Sequence, residues 1–232
     1  MNLLMVAAEP RELGGVLGQA RQPRRVRLRA HWARSANLGA YDLLLVSNGA
    51  GRARAAAAVD AAVAAGFGPR AVASVGFCGA LAPELRVADV VVAEEAIGAE
   101  ETYRSVPVFG AGRYLACGLI TLDHVAQSAE EKRALRATGA KAVDMEAAGV
   151  AERARALGIP FFGVKAVTDL AEETLENDFQ RALRPDGHFD TIGILGYGLR
   201  KPLTRIPELI RLKWRCARAA HALGVFFADC RF

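Results

Sequence analysis

Two polar pairs in an otherwise apolar chain are placed to do acid–base chemistry. Val143-Asp144-Met145-Glu146-Ala147-Ala148 sets two carboxyls around a methionine at the start of an Ala-rich stretch. Val164-Lys165-Ala166-Val167-Thr168-Asp169 runs an apolar segment into a Thr-Asp end. Each has a plainer reading: acids at a helix N-terminus complement its dipole, and Thr-Asp after a strand caps the next helix. Two Gly-rich segments offer backbone chemistry. Ser47-Asn48-Gly49-Ala50-Gly51-Arg52 reads as a turn into a helix start, a natural anion site, although it is neither a Walker A loop nor a dinucleotide fingerprint. In Val75-Gly76-Phe77-Cys78-Gly79-Ala80-Leu81, the glycines allow close approach of a ligand or, equally, a tight turn.

The elements that must position these residues alternate between strand and helix. Leu3–Val6, Tyr41–Val46, Ala71–Val75, Asp89–Ala93 and Pro160–Val167 are continuous apolar runs, which suits strands buried on both faces. Gly51–Ala65, Glu130–Thr138 and Met145–Leu157 read as helices, with stops at Gly66 and Gly158. The pattern predicts a single α/β domain, a mixed, largely parallel sheet flanked by helices. In such sheets ligands bind beyond the carboxyl ends of strands. Glu9 and Glu12, Asn48 and Arg52, and Thr168 and Asp169 all follow apolar runs, so they converge on one edge.

At 232 residues with 52% apolar composition, the chain suits one large domain. Residues 1–184 read as the catalytic domain and 185–232 as a basic helical extension packed on it. No apolar run reaches the length of a membrane span, and Met1–Ala8 reads as a first strand rather than a leader. Four scattered cysteines have no metal-like spacing and suit reduced thiols in the cytoplasm. The net charge is +5, but between Arg200 and Arg218 seven basic residues (Arg200, Lys201, Arg205, Arg211, Lys213, Arg215 and Arg218) stand against Glu208 alone. The remainder is near neutral, which argues against a nucleic-acid partner. The tail itself has two readings. It is a helix covering the sheet with its basic side chains in water, or a helix meeting an anionic membrane surface at the inner membrane face.

The order of these motifs, with Ala8-Glu9-Pro10-Arg11-Glu12 at the start and Val167-Thr168-Asp169-Leu170-Ala171 at the end, resembles the nucleoside phosphorylase and nucleosidase superfamily. The methylthioadenosine/S-adenosylhomocysteine nucleosidases are the nearest well-known branch, and the resemblance runs to about Glu173. It implies cleavage of the bond between a purine and a ribose-type sugar. Asp169 would protonate the departing base, Glu146 would hold the ribose hydroxyls, and Glu12 would activate a water. Met145 would pack on the sugar, and Gly79 and the backbone near Val125 would surround the base. Ser47 to Arg52 would lie at the nucleophile pocket, where phosphorolytic members place inorganic phosphate as co-substrate. Asp144, Thr168 and Phe77 join the substrate-binding set. Asp169 must be protonated when it acts, which calls for a raised pKa, with Glu12 or Glu146 ionised. No metal or organic cofactor is implied; the partners implied are a small purine nucleoside and further copies of the chain.

Three departures bear on the substrate. Phe77 stands where nucleosidases carry a small polar residue, the segment 101–127 is short, and Asp144 replaces a Glu. With the basic tail, these make the chain similar to the hopanoid-associated phosphorylases, which implies a lipid-linked adenosyl substrate, adenosylhopane. The competing class is a non-catalytic nucleoside-binding module of the same fold. His124 reads as a structural histidine or as part of the base pocket.

Overall fold

The computed structural model describes residues 1–110, 112–199 and 201–232; Arg200, counted above with the basic tail, falls outside them. The described elements are β1 (Asn2–Ala7), a 3-10 turn (Pro10–Leu13), α1 (Gly14–Gln19), β2 (Arg21–Arg25), β3 (Trp32–Leu38), β4 (Tyr41–Ser47), α2 (Arg52–Ala64) and β5 (Ala71–Ala80). Next come β6 (Val90–Ile97), β7 (Thr102–Arg104), β8 (Leu115–Thr121), α3 (Ala129–Arg136), β9 (Ala142–Asp144), α4 (Ala147–Leu157) and β10 (Phe161–Asp169). Then α5 (Phe179–Ala182), α6 (Thr191–Gly198) and α7 (Pro202–Asp229) complete the set.

The strands form one mixed sheet in the order β10-β6-β8-β9-β5-β1-β4-β3-β2, and β10 also pairs with β5, which closes one end on itself. β4, β1, β5 and β10 run parallel. This is why the segments after their carboxyl ends meet. The apolar runs are buried on both faces, as their composition requires. Along β1, Leu4 and Val6 enter the core beneath α2 and α4. Leu3, Met5 and Ala7 enter the core shared with Leu223, Phe226 and Phe227 of α7. The carboxyl half of α7 therefore covers the sheet. Among the described residues no helix is long and apolar enough to cross a membrane. All four cysteines are buried and free.

Of the boundaries that differ from the sequence reading, two bear on the site. β5 continues past Val75 to Ala80, because Gly76 and Gly79 stay extended and pair with Lys165 and Asp169 of β10. α4 starts at Ala147 rather than Met145, because Glu146 occupies its N-cap. The strands β2, β3, β7, β8 and β9 were not anticipated. β2 is exposed, β3 is partly polar, β7 and β9 are three residues each, and the apolar run of β8 is interrupted by Gly118.

Candidate active site

β5 is the backbone of the site. A Cβ at Gly76, whose φ is +148°, would lie 2.6 Å from Glu12 Oε2, and one at Gly79 would lie 2.9 Å from Asp169 Oδ2. Each glycine thus admits a carboxyl group against the strand where a side chain would exclude it. Positions 76 and 79 are roughly 10 Å apart at ~3.3 Å per residue. Glu12 and Asp169 are thus the two carboxyl groups seated against β5.

At the Gly76 end, Glu12, Glu146 and Asp144 surround Lys165 Nζ. Glu12 comes from the 3-10 turn after β1, and its Oε2 accepts the Ala8 N–H at 2.9 Å. Glu146 Oε1 accepts the N–H of Gly51, the residue before α2, at 3.2 Å, and its Oε2 lies 3.3 Å from Lys165 Nζ. Asp144 ends β9. Its Oδ1 accepts the Thr121 hydroxyl at 2.7 Å, and its Oδ2 accepts the Ala147 N–H at 2.9 Å and lies 2.8 Å from Lys165 Nζ. The Asp144 and Lys165 side chains are fully enclosed. Burial opposes the charge on Lys165, but Asp144, Glu146 and Glu12 outweigh it and hold the ammonium above its ordinary range. Burial likewise pushes the Glu12 carboxyl up to about 8, helped by Glu146 and opposed by Lys165. Burial raises Glu146 as well, against Lys165.

At the Gly79 end, Asp169 Oδ2 accepts from the ammonium of Lys132 at 2.6 Å, and its Oδ1 accepts the Thr168 hydroxyl at 3.0 Å. Lys132 belongs to α3, is fully buried, and also donates to the carbonyls of Leu170 at 2.9 Å and Glu173 at 3.3 Å. All three of its protons are therefore directed. One of Glu12 and Glu146 was expected to be ionised, and burial pushes both toward protonation; Asp169 is held in an ion pair with Lys132.

The other sequence candidates divide. Met145, between Asp144 and Glu146, and Phe77 and Gly79 of β5 are half-buried. The Val125 N–H is bonded to Gln180 Oε1 at 3.1 Å. The Ser47 hydroxyl is enclosed at the end of β4. The Arg52 guanidinium turns toward α4 and pairs with Glu152 at 2.9 Å, and Arg54 donates to the Pro185 carbonyl. His124 lies between Asp123 and Glu131, at 2.7 and 2.6 Å, and these hydrogen bonds push its imidazole above the ordinary range. Two residues of consequence were missed. Lys165 had a visible signal, a charge inside a strand read as buried on both faces, which must be paired. Lys132 had none, since Glu130-Glu131-Lys132-Arg133 reads as a solvated helix face.

Comparison with known proteins follows the geometry. The family model of the phosphorylase superfamily matches residues 20–124 and 111–185. No curated protein sequence matches the chain. Among solved structures, the 5'-methylthioadenosine/S-adenosylhomocysteine nucleosidase of Neisseria meningitidis, in complex with methylthio-immucillin-A, is 20% identical with a TM-score of 0.71, over 98% of each chain. The S-adenosylhomocysteine nucleosidase of Streptococcus pyogenes is 18% identical with a TM-score of 0.70, over 99% of this chain and 97% of that one. Futalosine hydrolase of Helicobacter pylori is 15% identical with a TM-score of 0.70, over 97% of each. At these identities the likeness is one of fold.

Proposed function

Because the chain belongs to the phosphorylase superfamily, we propose that it cleaves the N-glycosidic bond of an adenosyl-type purine nucleoside. The observation that carries this reading is the pair of carboxyl groups seated on Gly76 and Gly79, one for each side of the breaking bond. When the bond from C1′ to the base breaks, its electron pair leaves with the purine. A proton from the Lys132–Asp169 pair neutralises that charge at N7. Glu146 and Glu12 lie on the sugar side, where positive charge develops. Water adds to C1′, and its proton passes to ionised Glu12. One proton thus leaves one end of the site and one arrives at the other, and the products are purine and free sugar. The enzyme needs no metal or organic cofactor for these steps.

Hydrolysis is favoured over phosphorolysis by what the anion site already holds. The Gly51 N–H at the start of α2 is taken by Glu146. Arg52 is bound to Glu152 and Arg54 to Pro185. Inorganic phosphate would have to displace these partners. For the 5′ substituent we propose a lipid, as in adenosylhopane; the resemblance noted above and the apolar Phe77 support it.

Incubation with methylthioadenosine, S-adenosylhomocysteine, inosine, adenosine and an adenosyl-lipid, each with and without phosphate, tests all three statements by chromatography of free purine. Release without phosphate is expected, fastest from the adenosyl-lipid. Release only with phosphate would replace hydrolysis by phosphorolysis. No release from any substrate would leave the nucleoside-binding module.

A further inference from the structure

The amino-terminal half of α7 carries an apolar stripe turned away from the protein. Leu203, Ile210 and Trp214 fall within a narrow arc of the helix at ~3.6 residues per turn. Leu203 is 91% exposed and Trp214 70%. The opposite face of the same helix, through Glu208, Cys216, Ala219 and Leu223, is the buried one. On α6, Ile192 is 85% exposed, and Leu195 and Leu199 are also exposed. Exposed apolar residues thus gather on two adjoining helices, and such a concentration marks an interaction surface rather than ordinary surface scatter.

The charge around the patch selects its partner. Lys201 at the N-cap of α7 and Lys213 and Arg218 along it are exposed, and Arg211, also exposed, reaches Glu173 at 3.5 Å. The one acid in this part of the helix, Glu208, is turned inward, where it accepts the N–H groups of Glu176 and Asn177 at 2.8 and 2.9 Å. The outward face is therefore apolar and cationic with no exposed carboxylate on that stretch of α7. A second copy meeting the same face across a two-fold axis would bring like charges together. An anionic lipid surface complements both features: tryptophan and leucine enter the headgroup boundary while lysine and arginine meet lipid phosphates.

We propose that this face of α6 and α7 seats the protein on an anionic bilayer. α7 also adjoins the loop beside Asp169: Arg215 donates to Glu173 Oε2 at 2.6 Å and to the carbonyl of Thr168 at 3.5 Å. The docking itself does not depend on the reaction proposed above.

Co-sedimentation of the full chain with vesicles of phosphatidylglycerol and phosphatidylcholine, against phosphatidylcholine alone, tests the proposal. Binding is expected only with phosphatidylglycerol, weakening as salt rises. Leu203→Glu/Ile210→Glu/Trp214→Glu and, separately, Lys201→Glu/Lys213→Glu/Arg218→Glu should each weaken it at least tenfold. Both should keep the wild-type melting temperature and any turnover of soluble nucleosides. If the wild type fails to bind, or both variants bind as it does, the proposal falls. It falls also if the apolar variant instead converts an oligomer to a monomer in sedimentation velocity, since the face would then belong to a second copy. Absence of soluble-nucleoside turnover in the wild type itself would count against the reaction, not the docking.

Discussion

Lys165→Met removes the cation on which the sugar-side cluster depends. The methionine is close in length and leaves the volume filled, so the change is mainly one of charge. Asp144 would keep the Thr121 hydroxyl and the Ala147 N–H, and Glu146 would keep the Gly51 N–H. Both would lose contacts to an ammonium at 2.8 and 3.3 Å. Removing one partner of a buried pair costs about 3–5 kcal/mol, because the remaining charge is left uncompensated. For a chain of this size that is a fall in melting temperature of roughly 6–20 °C. The exposed pair Lys141–Glu84, at 3.1 Å, supplies the control: Lys141→Met should cost less than about 1 kcal/mol.

The penalty should also depend on pH in one direction. Glu12 and Glu146 are raised above 4.5 by burial. The folded state therefore keeps protons that the unfolded chain has released, and their contribution to stability is lost as pH rises from about 4.5 through about 8. Lys165 lowers both groups, so its removal pushes them higher and extends that loss upward. Lys165 itself is raised above 10.5, so its own contribution is constant below that value. Urea unfolding of wild type and Lys165→Met should show a gap that widens from pH 6 to pH 9. A gap below about 1 kcal/mol, or one that narrows over that range, would refute the buried, charge-linked cluster described here.

Other outcomes follow from the same geometry. Since Glu12 must be ionised to accept a proton from water and sits at about 8, kcat/KM for purine release should rise with pH through that region, and Glu12→Gln should abolish the rise along with most activity. Lys132→Met should lower kcat by about 10²–10⁴ with little change in KM, the range of a lost proton donor. Lys132→Arg, which keeps the charge, should recover part of the loss, and equal loss in both variants would reduce Lys132 to a packing role. Gly79→Val places bulk against Asp169 Oδ2, from which a bare Cβ is already only 2.9 Å away. It should cut kcat severely while circular dichroism stays native; unchanged turnover would remove Asp169 from the site.

How much of this was legible in the sequence depends on which element carries a residue. Glu12, Thr168 and Asp169 follow apolar runs that declare themselves as parallel strands, so their convergence could be stated before any coordinates. The glycines of β5 were ambiguous: Gly76 and Gly79 fit a turn as well as a strand. Only pairing with Lys165 and Asp169 shows that they keep the strand extended while opening room beside it. Arg52 was misleading for a related reason. Its position at a Gly-rich helix start suggests an anion site, but the sequence does not show that α4 packs close enough to supply Glu152 as its partner.

The two lysines mark the boundary most sharply. Lys165 sits inside β10, whose neighbours are buried on both faces, so its charge requires counterions nearby, and a carboxyl cluster could have been inferred from that strand alone. Lys132 lies on a helix whose sequence is charged at 130, 131 and 133, and helical periodicity alone would leave it in water. It is buried because α3 lays it across the loop that follows β10, where the carbonyls of Leu170 and Glu173 and the carboxylate of Asp169 together satisfy it. A strand brings its own chemistry to the edge it ends on, whereas a helix contributes a residue only through the neighbour it packs against. The partner of Asp169 was therefore hidden, and the cation of the Asp144–Glu146 cluster was not.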